Sequence, residues 1–411
     1  MSVTIKQLNG DASFLLTFRP PLSNLLTSEH DDSRPFTIIL DPWLAPTPSD
    51  IILRKFASSR QKTKPHVSSL CQLQEPDLVV VSQNMTDHCH KETLTQMPSH
   101  LGKPIILGPK DAIDTIKSWK YFHENKLIPL QKWCMEKPDR MYNVQVLGES
   151  PEDTPGEVTI TYLADKWHRD NMAKTHTAIA ITYTPPARPA ATRERFGLAT
   201  PPDTPLTSTF SQISTESLSK SHTISIIFSP HGCKYSTLAA YTEYHLSPLF
   251  ALPLTALLHC FDEVKNTWYL GGKVCNGMHT GVEIAQKLQA RVWISTHDGD
   301  KEVTGASVRQ LKIKKHERAE VESVVSPVRD RFEGEPLTRA VVLDVGEEIT
   351  LGALPLDEPS RPAAKENIDL YGAKHLLETE SDLKELSKEL DRVMLRHRAS
   401  SDASRPMSRA M

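Results

Sequence analysis

Three apolar runs in this chain each deliver a histidine at their carboxyl end. Residues 78–82 (LVVVS) lead into Asp87, His88, Cys89 and His90, residues 223–228 lead into His231, and residues 291–296 lead into His297 and Asp298. Uninterrupted β-branched runs of this length read as buried strands. Imidazole nitrogen and carboxylate oxygen are the donors that borderline cations such as zinc accept, so a strand ending in such groups can mount a metal on a rigid sheet. Sheets gather strand ends along one edge, where residues distant in sequence converge. Each loop taken singly reads equally well as solvated. Three such ends favour a shared site over scattered histidines among the 17 in the chain.

The remaining reactive residues each admit a bland reading. Asp298 stands where it could take a proton from a water, or it is a solvated loop charge. Cys89 lies between two histidines, where a metal would favour its thiolate, yet a buried inert thiol is the commoner state of such a residue. Trp43, Trp167 and Trp293 line a pocket or belong to the core and its rim. Gly271-Gly272 is too short for a phosphate loop, and GxxxxGK[ST] does not occur. Thr184, Thr200 and Thr204 each precede proline and are phosphorylation candidates inside what otherwise reads as a spacer.

The elements that must position these groups can be read in chain order. Residues 4–8 and 13–18 read as strands joined by the turn Asn9-Gly10-Asp11, and 36–40 as a third strand that delivers Asp41-Pro42-Trp43. Residues 45–74 are polar and irregular apart from 51–56, the pattern of a flap. A short helix over 91–96, a strand at 104–107 and a helix over 110–121 come next, then strands at 158–163 and 177–183 around a polar loop holding Asp165, His168 and, at its end, His176. Residues 184–221 are rich in Pro, Ser and Thr and bury too little apolar surface to offset their ordering entropy, so a disordered insertion is expected. Beyond the strand at 223–228, residues 252–261 and 281–288 read as helical, 268–270 and 291–296 as strands. Leu383, Leu386, Leu390 and Val393 form the stripe of an amphipathic helix over 382–396, started by Asp382 and Glu385 as a capping box, with a disordered tail after it. That helix folds back on its own domain or serves as a dimerisation arm.

Composition narrows the class. The chain has 411 residues, with 48 Lys and Arg against 51 Asp and Glu, a net charge of -3 that gives no long-range field for nucleic acid or an anionic membrane. No apolar run approaches the ~20 residues of a membrane span, and the first residues lack the form of a signal peptide. Six scattered cysteines without a CxxC pair suit reduced thiols and a cytoplasmic setting.

In this order the features resemble the metallo-β-lactamase fold, in particular the branch of the ascorbate-phosphate lactonases and the N-acyl-phosphatidylethanolamine phospholipase D type. The likeness rests on the N-terminal strand pairs, Asp41-Pro42-Trp43, the strand and loop at Asp87-His88, and the late strand ending at His297. It implies an α/β fold, a four-layer αββα sandwich over residues 1–352, followed by a linker, helix and tail over 353–411. That family closes its central strand with His-x-His-x-Asp-His, whereas this chain has Gln83-Asn84-Met85-Thr86-Asp87-His88. The two missing histidines, with a later one that falls at His168 or His176, hold the family's first metal. The neutral amide oxygen of Gln83 and the soft thioether of Met85 are poor zinc ligands in place of those histidines, so a weak or absent first site is expected.

The second site keeps its Asp87, His88 and His297, and His231 stands where the family has a bridging aspartate. The expectation is a mononuclear centre of Asp87, His88, His231 and His297 holding zinc, with manganese or iron as alternatives. His90 or His168 is expected nearby, and Asp41 is expected to orient a ligand imidazole or else merely to cap its turn. Asp87, His168 and Asp298 are the expected catalytic participants. With one coordination position free, a water acidified to a pKa of about 7 becomes the nucleophile; with four protein ligands bound the site is structural. The implied function is hydrolysis of an ester, lactone or phosphodiester in a small or lipid-like substrate. The alternative is a non-catalytic binding or scaffold module.

Overall fold

The computed structural model describes residues 1–21, 34–51, 57–100, 102–148, 150–165, 175–187, 223–267, 272–326 and 338–353. Trp167, His168, the strand expected at 268–270, all but the first residues of the insertion and the C-terminal helix with its tail lie outside them. The described residues belong to one compact unit, Met1–Leu356.

Two seven-stranded sheets dominate the fold. The first contains β1 (Ser2–Gln7), β2 (Phe14–Arg19), β3 (Phe36–Leu40), β6 (Leu78–Val80), β7 (Ile105–Pro109), β8 (Leu127–Leu130) and β20 (Glu348–Gly352), in the order β20-β1-β2-β3-β6-β7-β8. β1, β2 and β3 pair antiparallel, while β3, β6, β7 and β8 run parallel. The second contains β9 (Tyr142–Val146), β10 (Gly156–Ala164), β11 (Thr177–Thr184), β12 (Ile224–Ser229), β13 (Ala256–His259), β16 (Val292–Ser295) and β19 (Arg339–Val341), in the order β19-β16-β13-β12-β11-β10-β9. Its β9 to β12 are antiparallel and its β12, β13, β16 and β19 parallel.

Strand periodicity sorts the side chains into separate cores. Phe14, Leu16, Ile38, Leu40 and Val80 of the first sheet and Ile179, Ile181, Ile226, Phe228 and Ile294 of the second form one cluster. The residues between them point the other way. Ile39, Val79 and Ile106 pack with Leu94 of α1 (Lys91–Leu94) and Ile113 and Ile116 of α2 (Lys110–Ser118). Ala180, Ile227, Leu257 and Trp293 pack with Leu238 and Tyr241 of α3 (Tyr235–Tyr241), Ile284 of α4 (Met278–Lys287) and Val321 of α5 (Arg318–Val325). Each fully buried isoleucine or leucine contributes roughly 1.5–3 kcal/mol.

Several expectations are corrected. Residues 252–261 are not helical: β13 lies there, parallel to β12 and β16. All four of its residues are buried, and a short run buried on both faces carries no periodicity that separates strand from helix. The flap contains β4 (Ser49–Ile51) and β5 (Ala57–Gln61), which pair with each other and with β17 (Lys301–Thr304) as a small sheet. A second small sheet joins β14 (Glu263–Lys265) to β15 (Lys273–Cys275) and β18 (Lys312–Lys314). Thr184 is the last residue of β11, opposite Glu157, rather than the start of an insertion. Among the described residues no helix is long and apolar enough to cross a membrane.

Candidate metal centre

Parallel strands of both sheets end at the same edge, and the loops just beyond their carboxyl ends build the site. After β6, Val81 continues the pairing by donating to the Leu107 carbonyl. The chain then makes a tight turn in which the Met85 carbonyl accepts from the N–H groups of His88 and Cys89. His231 comes after β12, and Gly232 beside it takes a positive φ of 76°. A Cβ at Gly232 would stand 2.8 Å from the His259 ring, so the turn requires glycine twice over. His297 lies just past β16 with φ 65°, a left-handed conformation uncommon outside glycine, and its N–H donates to the Asp11 carbonyl. That contact ties the end of β16 in one sheet to the β1–β2 turn of the other.

Three imidazoles meet there. Nitrogens of His88, His231 and His297 lie within 4.8 Å of one another. Ring centroids are 5.0 Å apart for His88 and His231, 4.9 Å for His88 and His297, and 4.3 Å for His231 and His297. The outer nitrogen of each ring has its own partner. His88 Nδ1 lies 2.7 Å from Asp41 Oδ2. Asp41 is fully buried and is itself held by the N–H and Oγ of Ser82, each at 2.6 Å. His231 Nδ1 donates to the Val274 carbonyl at 3.1 Å. His297 Nδ1 lies 3.2 Å from Asp11 Oδ2 and 3.1 Å from Lys301 Nζ. With its outer nitrogen engaged, each ring turns Nε2 inward, as metal-binding histidines do.

Asp87 stands just outside this triangle. Its Oδ1 is 4.0 Å from His88 Nε2 and its Oδ2 is 4.0 Å from His297 Nε2. Oδ1 is buried without a hydrogen-bond partner, a costly state for a carboxylate unless a cation or donor completes it. His88 Nε2 and His231 Nε2 face each other at 3.0 Å, so they either share one proton or turn both lone pairs to one cation. Tetrahedral zinc with bonds of about 2.0–2.1 Å spaces its nitrogens roughly 3.3 Å apart. The donor set therefore fits a single divalent ion after small side-chain movements.

The charges agree with that chemistry. Burial opposes the carboxylate of Asp87, but His88, His297 and Lys301 outweigh it and hold its pKa below the usual value. Burial likewise opposes protonation of His88, yet Asp87 and Asp41 raise its pKa on balance. Burial and the neighbouring His297 and His88 push His231 well down, keeping it neutral and available as a ligand. Burial and Lys301 lower His297 against the pull of Asp11.

Other expected site residues lie elsewhere. His90 is the residue before α1; its nitrogens face Thr93 Oγ1 at 2.9 Å and Thr47 Oγ1 at 3.3 Å, and its ring packs on Trp43, so it braces a loop and does not join the imidazoles. Asp298 is turned away as well. Its carboxylate accepts from the N–H groups of Phe261 and Asp262 and from Ser295 Oγ, clamping the loop after β13, and burial lifts its pKa to about 7. Those three donors occupy the oxygens that a proton acceptor would need free.

Gln83 Nε2 donates to the Thr175 carbonyl, and its buried Oε1 has no partner. Met85 contributes its carbonyl to the turn. His176 is buried just before β11 and is not part of the three-imidazole group. Cys89 is buried in the core beside α1, and burial with nearby Asp41 and Asp111 pushes its thiol well up, which leaves it inert. All six cysteines are free thiols. Sequence reasoning misses Asp11 and Lys301: the first reads as part of a generic turn and the second as a surface charge. Only the proximity of Lys301 to His297, four residues away, gives any signal.

No protein-family model and no curated protein sequence matches this chain. Among solved structures it is similar to Igni18, described as a novel metallo hydrolase from the hyperthermophilic archaeon Ignicoccus hospitalis. That likeness has a TM-score of 0.41 and 11% identity, over 85% of this chain and 98% of that one. It is also similar to CmlA, a diiron β-hydroxylase from Streptomyces venezuelae, with a TM-score of 0.43 and 12% identity over 86% of this chain. This chain spans about half of CmlA, 54% of its length.

Proposed function

We infer that the chain is a four-layer αββα sandwich of the metallo-β-lactamase type, and that it holds one divalent ion, zinc in the first instance, on His88, His231 and His297, with Asp87 beside the open fourth position. The observation that carries this reading is the convergence of three inward imidazole nitrogens within 4.8 Å, drawn from both sheets. An ion held there supplies Lewis acidity, polarising a scissile carbonyl or phosphoryl oxygen and acidifying water. The chain's own groups do the rest. Asp41, the Val274 carbonyl and Asp11 fix the ring orientations, and Asp87 Oδ1, which lacks a donor, takes the proton of the attacking water. The reaction proposed is hydrolysis of an ester, lactone or phosphodiester.

A second reading, a non-catalytic binding or scaffold module, is favoured by one observation: the cluster is shut in, with His88 fully buried and His231 2% exposed. Elemental analysis of purified protein and of a His88→Ala, His297→Ala double variant separates the outcomes. One equivalent of zinc, manganese or iron that disappears in the double variant, with chelator-sensitive turnover of an ester, lactone or phosphodiester panel, supports the hydrolase. Bound metal without turnover supports the module, and absence of metal from both proteins removes the metal reading.

A further inference from the structure

Lys301 occupies a place at this site that its exposed neighbours do not prepare for. It opens β17 and pairs with Gln61 of β5, so its backbone is fixed by the small flap sheet. Its side chain is 14% exposed and runs inward. Nζ lies 2.9 Å from both Asp11 oxygens and 3.1 Å from His297 Nδ1. An ammonium can only donate, so this contact favours a ring nitrogen that accepts and carries no proton. A neutral imidazole with a bare Nδ1 carries its proton on Nε2. That is the atom turned toward His88, His231 and Asp87, and a metal needs it bare.

Asp11 pulls the other way. At 3.2 Å from the same Nδ1, its carboxylate can only accept, which favours a proton on Nδ1 and a bare Nε2. His297 is thus held between two partners that select opposite tautomers. The ammonium also holds both Asp11 oxygens at 2.9 Å, competing with the ring for that carboxylate, and places a positive charge behind the ring that would bind a dication.

We propose that Lys301 is a positioning residue that locks His297 in the tautomer unable to bind metal, so that the Lys301–Asp11 pair sets how readily the centre takes up its ion. This rests on the metal reading above, but the tautomer can be observed without metal. Binding requires the Nε2 proton to leave and Nδ1 to become the donor to Asp11, with Lys301 retained by Asp11 alone. The device makes occupancy depend on the metal available, because part of the binding free energy is used in reversing the tautomer.

The test uses the full chain labelled with ¹⁵N-histidine, with His297 assigned by comparison with His297→Gln. Long-range ¹H–¹⁵N spectra of the metal-free protein are expected to show protonated Nε2 and bare Nδ1 at His297, changing to protonated Nδ1 in Lys301→Met. Lys301→Arg, which keeps a charged donor, should retain the original tautomer. Zinc affinity, measured by competition with a chromophoric chelator, should rise about tenfold or more in Lys301→Met, as the opposing charge is removed. It should fall in Asp11→Asn, which leaves the ammonium unopposed. A His297 already protonated on Nδ1 in the wild type, or a tautomer unmoved by Lys301→Met, overturns the proposal. If no variant binds zinc, the metal reading fails and the spectra alone decide the tautomer lock.

Discussion

At the scale of single residues, the three imidazoles do different work although they are chemically alike. His88 rests on a buried carboxylate, His231 on a backbone carbonyl, and His297 between a carboxylate and an ammonium. The outlying His176 is held neutral more firmly than an exposed ring: burial first, then the charge of Lys273, lower its pKa to about 4. The unfolded chain takes that proton near pH 6.5, while the folded chain resists it until about 4. Stability from this residue is therefore complete above pH 6.5 and is lost as pH falls toward 4. Denaturant melts at about pH 7 and about pH 5 should show that His176→Gln removes part of the acid destabilisation, up to roughly 3 kcal/mol over the whole window. An unchanged difference between the two pH values would contradict the assignment. At this scale the meeting of His88, His231 and His297 could be anticipated because each comes after a short run rich in β-branched residues, which 256–259 lacks. Asp11 and Lys301 were not legible, because a turn aspartate and a lysine in a charged stretch look the same whether they face solvent or a buried ring.

At the scale of elements, the position of His297 depends on how β16 is seated. Trp293, at the centre of β16, is fully buried and donates its ring N–H to the His259 carbonyl at 2.9 Å. Its ring lies against α4 at Gly281, where an added Cβ would come within 2.1 Å of the indole. Gly281→Ala gains helix propensity of about 1 kcal/mol but overpacks this contact, so a net destabilisation of roughly 1–2 kcal/mol is expected from denaturant unfolding. Because the displaced ring sits on the strand that carries His297, zinc affinity should fall in the same variant. A stabilised protein with unchanged affinity would show that the α4–β16 contact does not seat the site. The same region shows why periodicity misleads. Residues 256–259 are buried on both faces and flanked by apolar sequence, so helix and strand give one pattern, and their parallel neighbours β12 and β16 decide the matter. The flap strands escaped notice because β5, Ala57–Gln61, is mostly polar and is held by pairing with β17 across a large sequence separation.

At the scale of the whole molecule, Asp87 and His88 follow a strand of the first sheet and His231 and His297 follow strands of the second, so an ion held among them would tie the two sheets together at one edge. Most strands of the two sheets were readable from sequence as runs, but the pairing of β1 with β20, Ser2 opposite Gly352, joins the two ends of the described chain and has no local signal. Zinc at about one hundred times its dissociation constant should add about 2.7 kcal/mol to folding stability and raise Tm by several degrees. The His88→Ala, His297→Ala double variant should show no such rise. A zinc-induced shift that survives in the double variant would place the ion elsewhere.

The most direct measurement is anomalous diffraction at the zinc edge from crystals of the full chain grown with one equivalent of zinc. The expected result is a single peak about 2.0–2.1 Å from the Nε2 atoms of His88, His231 and His297, with Asp87 facing the fourth position. A well-ordered triangle of imidazoles with no anomalous density at its centre would contradict it.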